Sequence, residues 1–426
     1  MSNDAGKRGR KALAALLSTA AALTGCNYGH RPYQQGPLQP VHDLSLVDVE
    51  IDDFGNFWDR TKAEAILTAI DDSAASSNVV VLLFVHGWHH NAAEDDTNRS
   101  DFHVTVKAVN NKLKETIYQD ARETLDISGD VKVVGVYLSW RGRSLPGLLD
   151  YLTFWGRKAA AQRVGEGAAR EFIFRLNEIY KKRNHGDQKH FMGLVSIGHS
   201  FGGQVLYKSV AATLENNFLL HEGQPAQMPV AAVGDVAVLI NPAFEAAQFD
   251  RLQALQSRYT YGPAQTPVLL VFSGEGDRAR QKFFPLGRRV SALLRPTFSN
   301  DEKQAQWITA LGEYEPQRTH SLELRPGTAS YEFSQNYCQQ ALGFDLTNPG
   351  VPFAGATLTA LPGRSQPFSP VVVAYSKNEL IEAHSGIFKE GFRRFMIDYV
   401  ALLEGKRLCL KAQLSAPSIA GARSPT

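Results

Sequence analysis

The chain has 426 residues, of which 43% are hydrophobic and 21% are charged, and its formal net charge is +2. This composition is that of a soluble globular protein with a large core. A net charge so close to zero shows no bias toward nucleic acid or an acidic partner, so we expect no nucleic-acid partner. The length allows two or three average domains or one long α/β domain.

The first 26 residues have the pattern of an export signal. A positively charged start is followed by apolar residues 12–23 and by Leu23-Thr24-Gly25-Cys26. This stretch of twelve residues, ten of them apolar, is too short to span a bilayer as a helix. The ending resembles the lipobox of bacterial lipoproteins, which implies cleavage before Cys26, lipidation of its thiol and attachment of the mature protein to a membrane of the cell envelope. A plain signal peptide and a buried N-terminal helix are the alternatives.

The rest of the chain is predicted to form one domain. Residues 27–43 lack periodicity and form a tether, and residues 44–410 form the domain. Within it, residues 283–367 form a long excursion without a strong period. Residues 411–426 are rich in Ser, Ala, Pro and Gly and are predicted to be a disordered tail.

Strands and helices alternate along the domain. Residues 44–51 alternate apolar and polar side chains, which predicts a half-exposed strand at the edge of the sheet. Apolar runs typical of buried parallel strands lie at 79–85, 131–139, 191–197, 236–240, 267–272 and 370–375. Helices are predicted at 61–70, 101–118, 148–180, 204–214, 244–256 and 387–403. The alternation predicts a doubly wound α/β fold with a mostly parallel sheet.

The stretch Gly198-His199-Ser200-Phe201-Gly202-Gly203 joins a buried strand to a helix. In a nucleophile elbow, glycines two residues before and after the serine remove Cβ atoms that would clash, so that the hydroxyl projects above the sheet. The bare pattern is expected by chance in roughly one such chain in five, but its strand-to-helix context is much rarer. Ser200 is therefore the candidate nucleophile.

A serine hydroxyl needs a base to take its proton and usually a carboxylate behind that base. Asp277 follows the strand 267–272, and His384 lies between the last strand and the last helix. The order Ser, Asp, His is that of α/β-hydrolases. Rival carboxylates and a rival base also follow the elbow, namely Glu275, Glu245, Asp250 and His320.

These motifs, together with the turn His86-Gly87 after a central strand, resemble the α/β-hydrolase superfamily on its serine esterase and lipase side. The resemblance covers about residues 44–403. It implies Ser200 as nucleophile, His384 as general base and then acid, and Asp277 as the group that orients the imidazole. It also implies an oxyanion hole from the backbone N–H groups of Trp88 and Phe201. The excursion has no counterpart in the minimal fold.

A group of histidines and aspartates follows the strand 79–85, at His86, His89, His90, Asp95 and Asp96. Adjacent histidines on a turn point in different directions, and no pair has the i, i+4 spacing of a helical metal site. We therefore expect no metal and no cofactor. His86 is expected to hydrogen-bond loop backbone.

Three further features leave alternatives open. Residues 146–155 are apolar on more than one helix face, which fits core packing beside the active site or a lid over an acyl-chain groove. Arg141 and Arg143 fit loop ion pairs or recognition of a substrate carboxylate or phosphate. Cys338 and Cys409 fit one disulfide or two buried thiols.

The sequence thus predicts a membrane-tethered bacterial serine hydrolase that cleaves small-molecule or lipid carboxylic esters through an acyl-enzyme intermediate. An amidase or peptidase with the same triad is the nearest alternative, because leaving-group protonation and pocket shape cannot be read from sequence. A non-catalytic surface lipoprotein that uses the fold for binding is the alternative from another class.

Overall fold

The computed structural model describes residues 32–34, 45–114, 131–145, 150, 153–186, 190–225, 228–275, 281, 284–285, 298–324, 337–349, 355–377, 381 and 386–415. The strands are β1 (Leu46–Ile51), β2 (Asn78–Val85), β3 (Val131–Trp140), β4 (Met192–His199), β5 (Val236–Ile240), β6 (Leu269–Gly274), β7 (His320–Leu324), β8 (Ala356–Ala360) and β9 (Val371–Ser376). The helices are α1 (Arg60–Ser76), α2 (Thr97–Lys112), α3 (Phe154–Glu166), α4 (Ala168–Asn184), α5 (Phe201–Leu220), α6 (Asp250–Gln256), α7 (Asp301–Ile308), α8 (Tyr337–Gly343) and α9 (Glu390–Ser415).

The nine strands form one sheet in the order β1-β3-β2-β4-β5-β6-β9-β7-β8. Every neighbouring pair is parallel except β7 and β8. The predicted α/β class with a mostly parallel sheet is confirmed, and β1 lies at an edge as expected. All strands but β8 therefore end at the same edge of the sheet, which we call the carboxyl edge.

Helices cover both faces of the sheet. On one face, α1, α3, α4, α5 and α6 pack against the odd-numbered side chains of β2, such as Val81 and Leu83. On the other face, α2, α8 and α9 pack against Val80, Leu82 and Phe84. A strand covered on both sides must be apolar throughout, which explains the uninterrupted run of Val, Leu and Phe in β2.

The chain changes face between two neighbouring strands. The helix that follows β2 is α2, on one face, and the helix that follows β4 is α5, on the other. Because β2 and β4 are adjacent, their carboxyl ends open a crevice between diverging connections. In open α/β sheets, ligands bind in such a crevice.

The long helical region predicted at 148–180 contains two helices rather than one, because the chain breaks at Gly167 between α3 and α4. The turn after β1 inserts there: the Gly55 carbonyl accepts a hydrogen bond of 2.7 Å from Ala168 N–H. A Cβ atom on Gly167 would lie 2.4 Å from the Gly55 oxygen. A contact over more than 100 residues thus overrides the local helical pattern.

The helix predicted at 244–256 is also shorter than expected, since α6 begins only at Asp250. The first residues of the predicted helix pair instead with the excursion, where Glu245 forms a β-bridge with Ala310. The excursion itself contributes β7 and β8 to the far edge of the sheet, and no sequence pattern predicted these strands. Both are only five residues long, which leaves little periodicity to detect.

A disulfide joins Cys338 of α8 to Cys409 of α9, which decides between the two alternatives for these cysteines. It fastens the excursion to the last helix. That helix continues to Ser415, so the predicted disordered tail is wrong for residues 411–415. None of the described helices is long and apolar enough to cross a bilayer.

Candidate active site

Ser200 lies at the apex of the turn between β4 and α5, with φ of 57° and ψ of −121°. A positive φ is uncommon and costly for a residue other than glycine. The turn is held on both sides, because Ser200 N–H donates to the Ile240 carbonyl and the Ser200 carbonyl accepts from Ala243 N–H. Ser200 is buried. The serine thus occupies the strained position that the elbow mechanism requires.

Two glycines of the motif are needed for close approach. A Cβ atom on Gly202 would lie 2.1 Å from the Val85 carbonyl oxygen at the end of β2. A Cβ atom on Gly198 would lie 2.6 Å from the Gly202 oxygen. The first turn of α5 therefore fits against the neighbouring strand only if both positions lack a side chain.

The turn at residues 86–88 packs directly against the turn at Ser200. A Cβ atom on Gly87 would lie 2.8 Å from the Ser200 Cβ atom. The rings of Trp88 and Phe201 are 6.1 Å apart. Phe201 is the first residue of α5, so its N–H group has no carbonyl partner within the helix. The two predicted oxyanion donors, Trp88 and Phe201, thus belong to two turns in contact.

His86 stabilises the turn from the inside. Its Nδ1 is 2.9 Å from the Gly87 carbonyl oxygen, and its Nε2 accepts a hydrogen bond of 3.1 Å from Trp140 N–H. The Trp140 indole in turn donates to the His86 carbonyl. Complete burial lowers the pKa of His86 to about 4, so the ring is neutral near pH 7. These contacts agree with the expected structural role.

The other histidines of this loop bind separate carboxylates. His89 Nδ1 is 2.7 Å from Asp150, and His90 Nδ1 is 3.1 Å from Asp96. Asp96 also caps the first turn of α2, and Asp95 is exposed. Across the part of the chain that the structure describes, no three His, Cys, Asp or Glu side chains group as a metal site would need.

Asp277 and His384 lie outside the described residues, so their roles stay predictions. A triad requires that the strands leading to its three residues end at one edge of the sheet, and the strands that precede Asp277 and His384 meet this requirement. Asp277 comes three residues after the end of β6, and His384 comes eight residues after the end of β9. Those strands are neighbours and end at the carboxyl edge, as β4 does.

His320, the rival base, lies in the sheet. Across the sheet it aligns with Ala374 of β9, which aligns through Phe272 and Ile240 with His199. Four strand spacings of about 4.8 Å place His320 about 19 Å from the turn at Ser200. Burial lowers its pKa to about 4. His320 is thus too far away to deprotonate Ser200.

Two of the rival carboxylates have other partners. Glu245 is buried, forms a 3.0 Å ion pair with Lys158 of α3 and accepts a hydrogen bond from Gln248. Asp250 pairs with Lys303 and accepts a hydrogen bond from Gln317. Glu275 is exposed directly after β6. The partners of Glu245 and Asp250 thus give these two carboxylates structural roles, whereas Glu275 lies at the carboxyl edge.

An aromatic group surrounds the contact between the two turns. Phe154, the first residue of α3, lies 5.3 Å from the Trp88 ring and 5.1 Å from the Phe201 ring. This packing supports the core interpretation for the described end of the apolar stretch 146–155. Trp155 beside it is 39% exposed.

Arg141 forms a loop ion pair, which is one of the two roles that the sequence suggested for it. It pairs with Asp53, which also binds Arg157 at 2.7 Å. Arg157 donates a further hydrogen bond to the Arg141 carbonyl. These contacts tie the turn after β1 to the loop after β3. Arg143 is half-buried.

Three adjacent strands are followed by residues with positive φ that are not glycine. His89 (71°) follows β2, Ser200 (57°) follows β4 and Asn241 (47°) follows β5. Asn241 is buried, and its side chain accepts a hydrogen bond from Gly274 N–H at the end of β6. Sequence reasoning missed Asn241, although an asparagine before a proline at a strand end is a turn signal.

No known protein family, curated protein or solved structure matches the chain. The functional assignment therefore depends on the geometry of the site.

Proposed function

We propose that this protein is a serine hydrolase of the α/β-hydrolase kind that cleaves carboxylic esters through an acyl-enzyme intermediate. The observation that carries the proposal is the strained conformation of Ser200, at the carboxyl end of β4 and in contact with the turn at residues 86–88. Unfavourable backbone conformations persist where the surrounding structure holds them, and they cluster at active sites.

The strain also favours catalysis over simple binding. A binding surface needs no serine at the apex of a strained turn, because an unstrained residue would serve it equally well. A nucleophile does need that position, because the turn lifts its hydroxyl above the sheet edge. Ser200 lies beside the crevice where the chain changes face, which is where open α/β sheets bind ligands.

The proposed mechanism uses the predicted triad. The Ser200 oxygen attacks the carbonyl carbon of the ester while His384 takes its proton and Asp277 orients the imidazole. The Trp88 and Phe201 N–H groups stabilise the negative oxygen. Collapse of this intermediate releases the alcohol, which takes the proton from His384. Water then attacks the acyl-enzyme by the same route, which frees the acid and restores Ser200.

The proposal includes attachment to a bacterial membrane through a lipid on Cys26. The disulfide between Cys338 and Cys409 supports an extracytoplasmic location, because such bonds persist in oxidising compartments. Membrane fractionation of Cys26→Ser tests this part. We expect the variant in the soluble fraction, and unchanged membrane association would refute lipid anchoring.

Fluorophosphonate labelling tests the catalytic proposal. We expect the probe to label the wild-type protein and to leave Ser200→Ala unlabelled. Ser196→Ala is the matched control, since Ser196 is a buried serine of β4, the strand that leads to Ser200, and its hydroxyl has no hydrogen-bond partner among the described residues. This control should label as the wild type does. A folded wild-type protein that does not react would favour the binding lipoprotein instead.

A further inference from the structure

The loop that carries Trp88 turns sharply just after it. His89 has a φ of 71°, and its ring stacks on the Trp88 ring with centroids 4.0 Å apart. A histidine in this conformation relaxes toward negative φ unless other contacts hold it. Any such relaxation moves the neighbouring Trp88 and therefore its backbone N–H group.

Asp150 provides the holding contact. Its carboxylate is buried and lies 2.7 Å from His89 Nδ1. The same carboxylate accepts hydrogen bonds of 3.0 Å from the backbone N–H groups of Ser144 and Leu145 and from the Thr153 hydroxyl. Asp150 is thus fixed by its own loop, and it fixes the His89 ring in turn.

Backbone hydrogen bonds join the same two loops. His89 N–H donates to the Gly142 carbonyl at 3.3 Å, and Gly142 N–H donates to the His90 carbonyl at 3.1 Å. A Cβ atom on Gly142 would lie 2.5 Å from the Gly87 oxygen. The loop after β3 therefore packs tightly against the turn that contacts Ser200.

We propose that His89 and Asp150 are positioning residues that hold the Trp88 N–H group in place as an oxyanion donor. This inference rests on the proposed hydrolase function. A preorganised donor stabilises the transition state only if its position is fixed before the reaction, and a small displacement of such a group costs catalysis rather than substrate binding. The pair acts on the reaction through Trp88 and need not touch the substrate.

The neighbouring pair His90–Asp96 provides a comparison on the same loop. It has the same chemistry, with a distance of 3.1 Å. However, Asp96 is the N-cap of α2, where it accepts hydrogen bonds from Asn98 and Arg99 N–H. His90 is one residue farther from Trp88, on the side of the loop held by α2. We expect this pair to contribute less to catalysis.

Steady-state kinetics with a p-nitrophenyl ester tests the inference. We expect His89→Ala to lower kcat about 10- to 100-fold and to leave KM within about threefold. His89→Asn keeps an N–H donor near the position of Nδ1, so it should recover most of the loss. Asp150→Asn removes the charged acceptor and should behave like His89→Ala. His90→Ala should stay within about threefold of wild-type kcat.

Thermal melting of each variant accompanies the kinetics, and His89 is exposed enough for His89→Ala to fold. Wild-type kcat in His89→Ala would overturn the inference, as would a loss expressed in KM alone, an equal loss in His90→Ala or no recovery in His89→Asn. A wild-type protein that neither turns over esters nor reacts with a fluorophosphonate refutes the proposed function, and the inference with it. If the wild-type protein turns over esters and reacts with the fluorophosphonate, the kinetics of the variants alone test the inference.

Discussion

Polar side chains are buried at both ends of the parallel strands, but their backbone conformations differ. At the carboxyl edge, the residues after β2, β4 and β5 include His89, Ser200 and Asn241, all with positive φ. At the opposite edge, where these strands begin and which we call the amino edge, a polar group consists of the buried Asp235 and Glu404 and the half-buried Tyr180 and Arg407. None of these four is among the non-glycine residues with positive φ that the described chain contains.

The polar group of the amino edge forms an ordinary structural network. Tyr180 donates a hydrogen bond of 2.7 Å to Asp235, and Arg407 forms a 2.6 Å ion pair with Asp235. Arg407 also donates to the Tyr180 hydroxyl and to the Asp235 carbonyl. The network fastens α9 and α4 to the start of β5. Polar groups are therefore buried at both edges, whereas buried polar side chains with a positive φ occur at the carboxyl edge.

The largest predicted effect comes from relieving the strain at the carboxyl edge. Ser200→Gly should abolish ester hydrolysis, with a loss of about 10⁴-fold or more in kcat. The same change should raise the free energy of unfolding by about 1 kcal/mol, because glycine adopts this conformation without strain. Enzyme assay and urea denaturation of the same preparation measure both effects.

Ser196→Gly is the matched control for this trade-off. Ser196 lies four residues earlier in β4, within the extended strand. Glycine there should lower the free energy of unfolding by roughly 1 kcal/mol, since no strain is relieved and a strand residue gains freedom in the unfolded chain. If both substitutions destabilise the protein equally, Ser200 stores no strain and the contrast between the edges disappears.

A smaller predicted effect is the pH dependence of the free energy of unfolding, which has opposite signs at the two edges. Burial first, and then the nearby Asp235, raise the pKa of Glu404 well above its usual 4.5. Glu404 thus keeps its proton in the folded protein at pH values where the unfolded chain has lost it. Its contribution to the free energy of unfolding therefore falls as pH rises above about 4.5. His86 behaves oppositely: its folded pKa is about 4, so its contribution is complete above about pH 6.5 and is lost as pH falls toward 4.

Glu404→Gln isolates the amino-edge contribution, because glutamine is neutral at every pH. The free energy of unfolding of this variant, minus that of the wild type, should rise by about 1.4 kcal/mol per pH unit above about pH 5, until Glu404 ionises in the folded protein. Urea denaturation from pH 5 to pH 8 measures the slope. A difference that does not change with pH would show that Glu404 is charged in the fold.

The sequence predicted the layers of the fold because long apolar runs such as that of β2 have one physical explanation, burial on both faces. It failed where distant contacts decide the structure. The break at Gly167 depends on the Gly55 carbonyl, β7 depends on pairing with β9, and β8 depends on pairing with β7. Such contacts leave almost no periodic signal in the chain.

The candidate site likewise contains residues that the sequence predicted and residues that it did not. Ser200, its glycines and the turn at His86 were predictable, because the elbow imposes residue types at fixed spacing. Asp150 was not, since it lies 61 residues from His89 and the apolar residues around it predicted only packing or a lid. His320 was a rival base on sequence alone, and only the register of the sheet places it out of reach of Ser200.

The most direct test of the central claim is to trap the acyl-enzyme. The wild-type protein is mixed with a p-nitrophenyl ester, quenched in acid during the first turnover and digested, and the peptides are weighed by mass spectrometry. We predict a burst of p-nitrophenol and an acyl group on the peptide that contains Ser200. A burst with the acyl group on another residue, or wild-type turnover by Ser200→Ala, would contradict the proposed role of Ser200.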